Sequence, residues 1–457
     1  MRGGPSGVGP AQIIQGGTRL PRRPVHSTTL LPMNPNAPLH HPHITSPPAT
    51  TGAYEGIIPM CPPPHGWFRV APAPPASSRS TREPGEGLMR IAISGLVTPR
   101  QPAGVGRYLA GLLGGFAGLD HDDEITVYVG ADCPEEILAV HDDRIRFVRL
   151  HLRHDPRLVM RPLYLAWQQL RPPAASADVL HVPNLVPTLG HRMPTVTSLH
   201  DLAEWEVPDK YPPARRAYRK LAARAIARWS ERVLVPTSTT RDDLVARLGL
   251  PADRVVVAPF GVDHRFWRAR LDAPPSPLSE RYLLYVGSDL AHKNLDRLLT
   301  AAAEVLPSRS IRLVLAGVAP TSPRLAGVDR RWVDALDRVD NERLIGLYQG
   351  AVGVMFPSLA EGFGLPILEG FSAGCPVLTS AGTACAEVAG DAALLVDPTD
   401  TNAIAEGMRR LINDDGLRRD LVAAGRERAR SFTWTRCAKL TRMAFEAAIA
   451  AHHDERS

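Results

Sequence analysis

From residue 89 onward, short apolar runs alternate with longer stretches of helical period. Arg90-Ile-Ala-Ile-Ser94 and Ile125-Thr-Val-Tyr-Val129 are near-continuous apolar runs, the pattern of strands covered on both faces of a parallel sheet. Strands are predicted at 90–94, 124–129, 145–150, 179–182, 194–199, 232–235 and near 255–258. A proline-rich break, Pro274-Pro-Ser-Pro277, separates these from a second series at 282–286, 312–316, 353–356, 376–379 and 393–396. Two alternating strand–helix series split by a linker imply an α/β protein of two Rossmann-like, doubly wound domains. In such sheets ligands bind beyond the carboxyl ends of the strands, so two facing sheets predict an interdomain cleft. The expected division is an N-terminal extension (1–88), a first domain (89–265), a second domain (266–431) and a closing helical segment (432–457).

The extension reads differently from the rest. It holds 18 of the 44 prolines, no lysine and no periodicity, so it buries too little apolar surface to offset the entropy of ordering. It also lacks the charged start and apolar run of a secretory signal. Met89 opens a clean strand, and Gly85-Glu86-Gly87 is encoded by a purine-rich run such as a bacterial ribosome-binding site. Met89 is therefore expected to be the true start, with residues 1–88 over-annotated; the other readings are a disordered interaction tail and a plastid-like transit peptide.

Composition adds exclusions. No run of eighteen apolar residues occurs, so no transmembrane helix is expected. The cysteines at 61, 133, 375, 385 and 437 are scattered, odd in number and without a Cys-x-x-Cys pair, which favours a reducing compartment over a disulfide framework or zinc site. A net charge of +6, carried almost wholly by arginine, suits a nucleotide or anionic lipid and does not by itself imply nucleic acid. Pro213–Arg232 is a basic helix with Tyr218, Leu221, Ala222, Ala225, Ile226 and Trp229 on one face. It reads either as a helix packed on the sheet with a solvated charged face or as a contact with an anionic membrane surface.

The chemistry concentrates in Phe356-Pro-Ser-Leu-Ala-Glu361-Gly-Phe-Gly-Leu-Pro-Ile-Leu-Glu369. A strand ends, a loop follows with Gly362, Phe363, Gly364 and Leu365, and a helix starts near Pro366; proline suits a first helical turn. Open N–H groups at that start, with glycines admitting close approach, suit a phosphate. Glu361 and Glu369, with seven residues between them, suit sugar hydroxyls. The plainer reading is a crossover whose glutamates only cap and solvate the helix.

This run, continued by Gly374-Cys-Pro-Val377, resembles the Glu-x7-Glu signature of family 4 retaining glycosyltransferases. Its implied fold is GT-B: two Rossmann-like domains across a cleft, with a C-terminal helix returning to the first. The resemblance covers about residues 89–450 and is strongest over 281–398. It implies that Glu369 binds the donor's ribose, that Glu361 contacts the donor sugar and that Lys293 holds the diphosphate. Gly287, Ser288, Gly362, Phe363, Gly364 and Leu365 are implied to line the donor, and Gly317 the base. Many members carry an arginine where this chain has Ser288, so only one of the usual two cations is visible. Asp337 stands where glycine is common.

In the first domain, Gly104-Val-Gly106-Arg-Tyr108 matches the family's glycine loop, with Ala103 replacing its first glycine; a tight turn accounts for it equally well. His181 and Asn184 are implied to line the acceptor, or sit on a surface loop. His200 and Asp201 end an apolar strand, where the resemblance implies donor-sugar contact by His200; the bland reading is a histidine capping a turn with Asp201. Thr237 to Thr240 read as a helix cap. Pro259-Phe-Gly-Val-Asp263 resembles the element that ends the first domain.

The expectation is a metal-independent, retaining hexosyltransferase with no cofactor, since no Asp-x-Asp metal element occupies the expected loop. It would act on a nucleotide-sugar and a glycan or lipid-linked acceptor, without nucleic acid, in the cytoplasm or peripherally on its membrane face. Lys293-Asn294 resembles mannosyltransferases that build bacterial surface polysaccharide, which suggests GDP-mannose first and a UDP- or dTDP-sugar otherwise. A synthase acting on a soluble sugar and a non-catalytic nucleotide-binding scaffold are the alternatives.

Overall fold

The computed structural model describes residues 88–96, 104–131, 133–150, 177–186, 193–207, 211–263 and 280–454. The extension through residue 87, the loop residues Thr98 to Ala103 and the break Pro274 to Pro277 lie outside them.

Two parallel sheets organise the described chain. The first runs β3-β2-β1-β4-β5-β6-β7. Its strands are β1 (Arg90–Gly95), β2 (Glu124–Val129), β3 (Ile145–Arg149), β4 (Val179–Val182), β5 (Thr195–Ser198), β6 (Arg232–Val235) and β7 (Val255–Val257). The second runs β10-β9-β8-β11-β12-β13, from β8 (Tyr282–Val286), β9 (Arg312–Ala316), β10 (Val333–Ala335), β11 (Gly353–Phe356), β12 (Val377–Ser380) and β13 (Leu394–Val396). In both orders the chain reverses direction across the sheet beside its first strand, between β1 and β4 and between β8 and β11. These are the switch points at which doubly wound sheets open a crevice. The runs read as strands are strands, and their central residues, such as Ile91, Val127, Leu284 and Val354, are fully or almost fully buried. β10 is an edge strand whose short, mixed Val-Asp-Ala run carries too little apolar signal to stand apart from the turn that follows.

The closing helix, Trp434–Asp454, returns to the first domain. It lies on the helix Gly104–Ala117, where two glycines make room: a β-carbon on Gly111 would meet the Trp434 indole, and one on Gly115 would lie 2.2 Å from the Trp434 carbonyl. Phe445 stacks on Phe116 with the rings 5° from parallel. Arg442 pairs with the buried Asp123 carboxylate at 2.7 Å, which also accepts the Met89 backbone N–H at 2.9 Å.

The basic helix runs from Pro213 to Trp229 and faces the sheet otherwise than its periodicity suggests. Ala222, Ala223, Ile226 and Ala227 are buried, while Leu221 is 66% and Trp229 42% exposed. The alanines allow close approach to the sheet. Arg219, on the adjoining side, is tied inward by Glu204 at 3.0 Å and Asp201 at 3.2 Å. No helix among the described residues is long and apolar enough to cross a membrane.

Candidate active site

β11 delivers the chain to the glycine loop, and packing makes that loop the seam between the two domains. Gly364 takes φ +100° as N-cap of the helix Leu365–Ala373, a backbone shape that L side chains rarely adopt. A β-carbon on Gly362 would lie 1.6 Å from the His200 carbonyl oxygen, so only glycine fits where the second domain meets the first. The Gly362 carbonyl accepts from the Thr237 hydroxyl at 3.0 Å and the Thr240 hydroxyl at 3.3 Å. Thr237 also caps its own helix, accepting the Thr240 N–H; capping is thus half of its work. Phe363 packs between Phe260 and Phe432, with ring centroids 4.8 and 5.8 Å away. Its contacts join the two domains, and it is 4% exposed.

A second tie crosses nearby. Glu387 accepts the N–H groups of Ser238 at 2.7 Å and Thr239 at 2.8 Å. A carboxylate of the second domain thereby caps a helix of the first, where the orphan N–H groups and the helix dipole both favour negative charge.

The two glutamates each hold a cation. Lys293 Nζ donates to Glu361 Oε1 at 2.5 Å and lies 5.0 Å from the Phe356 ring centre. Glu369 is 4% exposed; its Oε1 accepts from Arg107 Nη1 at 2.7 Å, across the cleft, and its Oε2 from the Tyr348 hydroxyl at 2.7 Å. Burial, together with the Glu369 charge, pushes the Tyr348 phenol far above its ordinary value, so it stays a donor. Arg107 belongs to the glycine-loop run read from the sequence, where nothing ties it to Glu369; Tyr348 does not stand out in the sequence. Arg107 follows the glycine pair, and Tyr348 lies in the helix Asn341–Gly350 beyond the edge strand.

Asn294 fixes the Lys293 turn. It takes a left-handed φ of 60° and donates to the carbonyls of Pro357 at 2.8 Å and Pro398 at 2.6 Å. Its part in the Lys293-Asn294 pair is therefore to hold the loop shape. Gly287 and Ser288 follow β8, with the Ser288 carbonyl accepting the Tyr285 hydroxyl at 2.7 Å. Gly317, at φ +97°, has its α-carbon so close to Gly287 that a β-carbon would lie 2.7 Å from the Gly287 carbonyl. Its N–H donates to the Asp337 carbonyl at 2.7 Å, and Asp337 takes φ 55°, the backbone reason for a glycine at that place.

On the first domain, Gly106 is buried and Gly104 exposed at the start of the helix that carries Arg107 and Tyr108. His200 Nε2–H donates to the Pro183 carbonyl oxygen at 2.8 Å, and the ring meets Tyr108 edge-on with centroids 4.7 Å apart. Burial lowers its pKa, against the pull of the Pro183 carbonyl and Asp201. Asp201 pairs with Arg219. His181, expected beside the acceptor, is fully buried. It contacts the Val196 carbonyl at 3.1 Å and the rings of Tyr108 and Phe445, and burial lowers its pKa to about 3. It is a neutral packing group under the site. Asn184 is 7% exposed, and neither end of its amide has a hydrogen-bond partner. Among the described residues no cluster of His, Cys, Asp or Glu is placed to hold a metal.

The glycine loop, flanked by Glu361 and Glu369, thus lies where the two doubly wound domains meet. Residues 102–266 match the model of Glycosyltransferase Family 4, and residues 270–428 that of Glycosyl transferases group 1. The chain is 29% identical to the O-antigen chain mannosyltransferase B of Escherichia coli over 368 residues, 75% of this chain and 96% of that protein. It is 26% identical to the MMP alpha-(1->4)-mannosyltransferase of Mycolicibacterium hassiacum, over 79% of this chain and 99% of that protein. Among solved structures it resembles the sucrose-phosphate synthase of Thermosynechococcus elongatus, with a TM-score of 0.63 at 21% identity, over 79% of this chain and 100% of that one. The matched models, the relatives and the shared architecture lead to one conclusion: this chain is a glycosyltransferase of family 4 with the GT-B fold.

Proposed function

We propose that the enzyme transfers a hexose, mannose first, from a nucleoside-diphosphate sugar to a glycan or lipid-linked acceptor, with retention at the anomeric carbon and no metal. The observation that carries this reading is the carboxylate pair Glu361 and Glu369 at the two ends of one glycine loop, each already engaged with a cation at 2.5 and 2.7 Å. The mannosyltransferase relatives favour mannose.

In this reading Glu369, oriented by Tyr348, accepts from the ribose hydroxyls. Glu361 accepts from the sugar hydroxyls and lends negative charge near the anomeric carbon as that carbon becomes cationic. Lys293 and the backbone N–H groups of Gly364 and Leu365 hold the diphosphate as its negative charge grows, the fixed-charge stabilisation that lowers such barriers. The acceptor hydroxyl attacks from the face the diphosphate leaves. The departing phosphate oxygen takes its proton, the new glycosidic bond replaces the broken one, and configuration is retained. His200, seated between Tyr108, Phe260 and the Gly362 contact, positions the reacting groups. The exposed Leu221, Trp229, Arg224 and Arg228 of the basic helix suit an anionic membrane surface carrying a lipid-linked acceptor. Sedimentation with anionic vesicles, lost when the helix arginines become glutamine, is the expected result there.

The test of the donor reading is a thermal-shift panel with GDP, UDP, ADP and dTDP, with and without EDTA. A ligand at a hundred times its Kd stabilises by about 2.7 kcal/mol. Stabilisation by one diphosphate, insensitive to EDTA and abolished in Glu369→Ala, is expected. Stabilisation by none of them would overturn the reading.

A further inference from the structure

Each carboxylate of the glycine loop is neutralised, but the two cations come from different domains. Lys293 belongs to the second domain beside Glu361. Arg107 reaches across the cleft from the first turn of the helix Gly104–Ala117. Glu369 has one oxygen occupied by Tyr348 and the other by Arg107, and its side chain is 6% exposed. A ribose that engages this carboxylate with both hydroxyls competes with Arg107 for it. The guanidinium stays at the cleft: its side chain is 35% exposed, and its backbone is fixed beside the buried Gly106. Of the second-domain loop positions 287, 288, 293 and 317, only Lys293 carries positive charge, while a nucleoside diphosphate brings more than one negative charge.

We infer that Arg107 is the second cation of the donor site, supplied by the first domain, and that donor binding is a double exchange of partners. The ribose and sugar hydroxyls take Glu369 and Glu361. Arg107 and Lys293, released from those carboxylates, turn to the diphosphate. The two ion pairs seen here, Lys293–Glu361 and Arg107–Glu369, would each be replaced by charge-assisted contacts to the ligand. The planar guanidinium fork suits phosphate oxygens held in two-point contact. This inference rests on the donor reading above and adds to it the residue that answers the neutral Ser288.

The experiment separates the two halves of the ligand. Calorimetric titration of the full chain compares a nucleoside, which offers only base and ribose, with its 5′-diphosphate, using the base selected by the thermal-shift panel. In Arg107→Ala the nucleoside is expected to bind as tightly as before or several-fold tighter, because Glu369 is uncovered. The diphosphate is expected to bind about tenfold to a hundredfold more weakly, the worth of one charge-assisted contact. Arg107→Lys is expected to fall between, and Ser288→Arg added to Arg107→Ala to restore diphosphate binding. Should Arg107→Ala not fold, Arg107→Gln carries the same comparison. Unchanged or tighter diphosphate binding in the alanine or glutamine variant would overturn the inference and leave Arg107 as a plug on Glu369. Wild-type protein that binds no nucleoside diphosphate at all would overturn the donor reading itself.

Discussion

The α-carbon of Gly362 lies so close to the carbonyl oxygen of His200 that a β-carbon would stand 1.6 Å from it. The obstacle is backbone, not the end of a flexible side chain, so it cannot swing aside. Gly362→Ala should force the domains apart, breaking the Thr237 and Thr240 bonds to the Gly362 carbonyl. An activity loss of about a hundredfold is expected, as for other misplacements of about 1 Å in an active site. Nucleoside binding at Glu369 should change little, and comparing kcat/KM with a nucleoside titration checks both halves.

Tyr348 donates to Glu369 from full burial. Tyr348→Phe removes one donor and leaves Glu369 one contact short. The expected loss is about 0.5–1.5 kcal/mol of nucleotide affinity, or roughly twofold to tenfold in Kd, with kcat little changed. Unchanged affinity would mean that Glu369 does not meet the ribose.

Gly115 gives the closing helix its place. Gly115→Val should drive a side chain into the Trp434 backbone and destabilise the first domain by about 1–3 kcal/mol, the range for overpacking. Calorimetric unfolding measures it. The same change at Gly114, whose α-carbon has open space around it, should be neutral or slightly stabilising, by about 0.5 kcal/mol or less, because valine is a better helix former than glycine.

Two histidines couple stability to acid. His181 has a folded-state pKa of about 3, below the ordinary value near 6.5, and burial lowers His200 as well. The unfolded chain therefore binds more protons below about pH 6.5. The stability that neutral burial confers is fully present above that pH and is lost progressively as pH falls from about 6.5 toward 3. In His181→Phe the pH-dependent part should shrink by up to one proton across that window. Denaturant unfolding at several pH values reads this directly, and an identical slope in the variant would count against it.

Much of this arrangement was legible in the chain. Every predicted strand is present, because a both-faces-buried parallel strand writes an unbroken apolar run, as Leu283 and Leu284 do. The glycine loop was legible because glycine, proline and carboxylate each answer a different backbone or chemical need. What stayed hidden depends on pairs far apart in sequence. Arg107 and Glu369 are 262 residues apart and Thr237 and Gly362 125, and no local period registers such meetings. The His181 burial was missed because a histidine at a strand end reads alike whether it faces a cleft or a core. The basic helix was turned wrongly because the inward ties of Arg219 outweigh the pull of Leu221 toward the sheet.

The Glu387 cap has a meaning for modular descent. Enzymes of two lobes invite recombination at the linker, one lobe choosing the donor and the other the acceptor. Here the helix Ser238–Leu248 of one lobe is finished by a carboxylate encoded about 150 residues later, in the other. A hybrid that inherits its second lobe from a relative lacking a carboxylate there would carry a helix with bare N–H groups at the seam, however well each lobe folds. Exchange of the second lobe is thus favoured with partners that bring this one side chain with them.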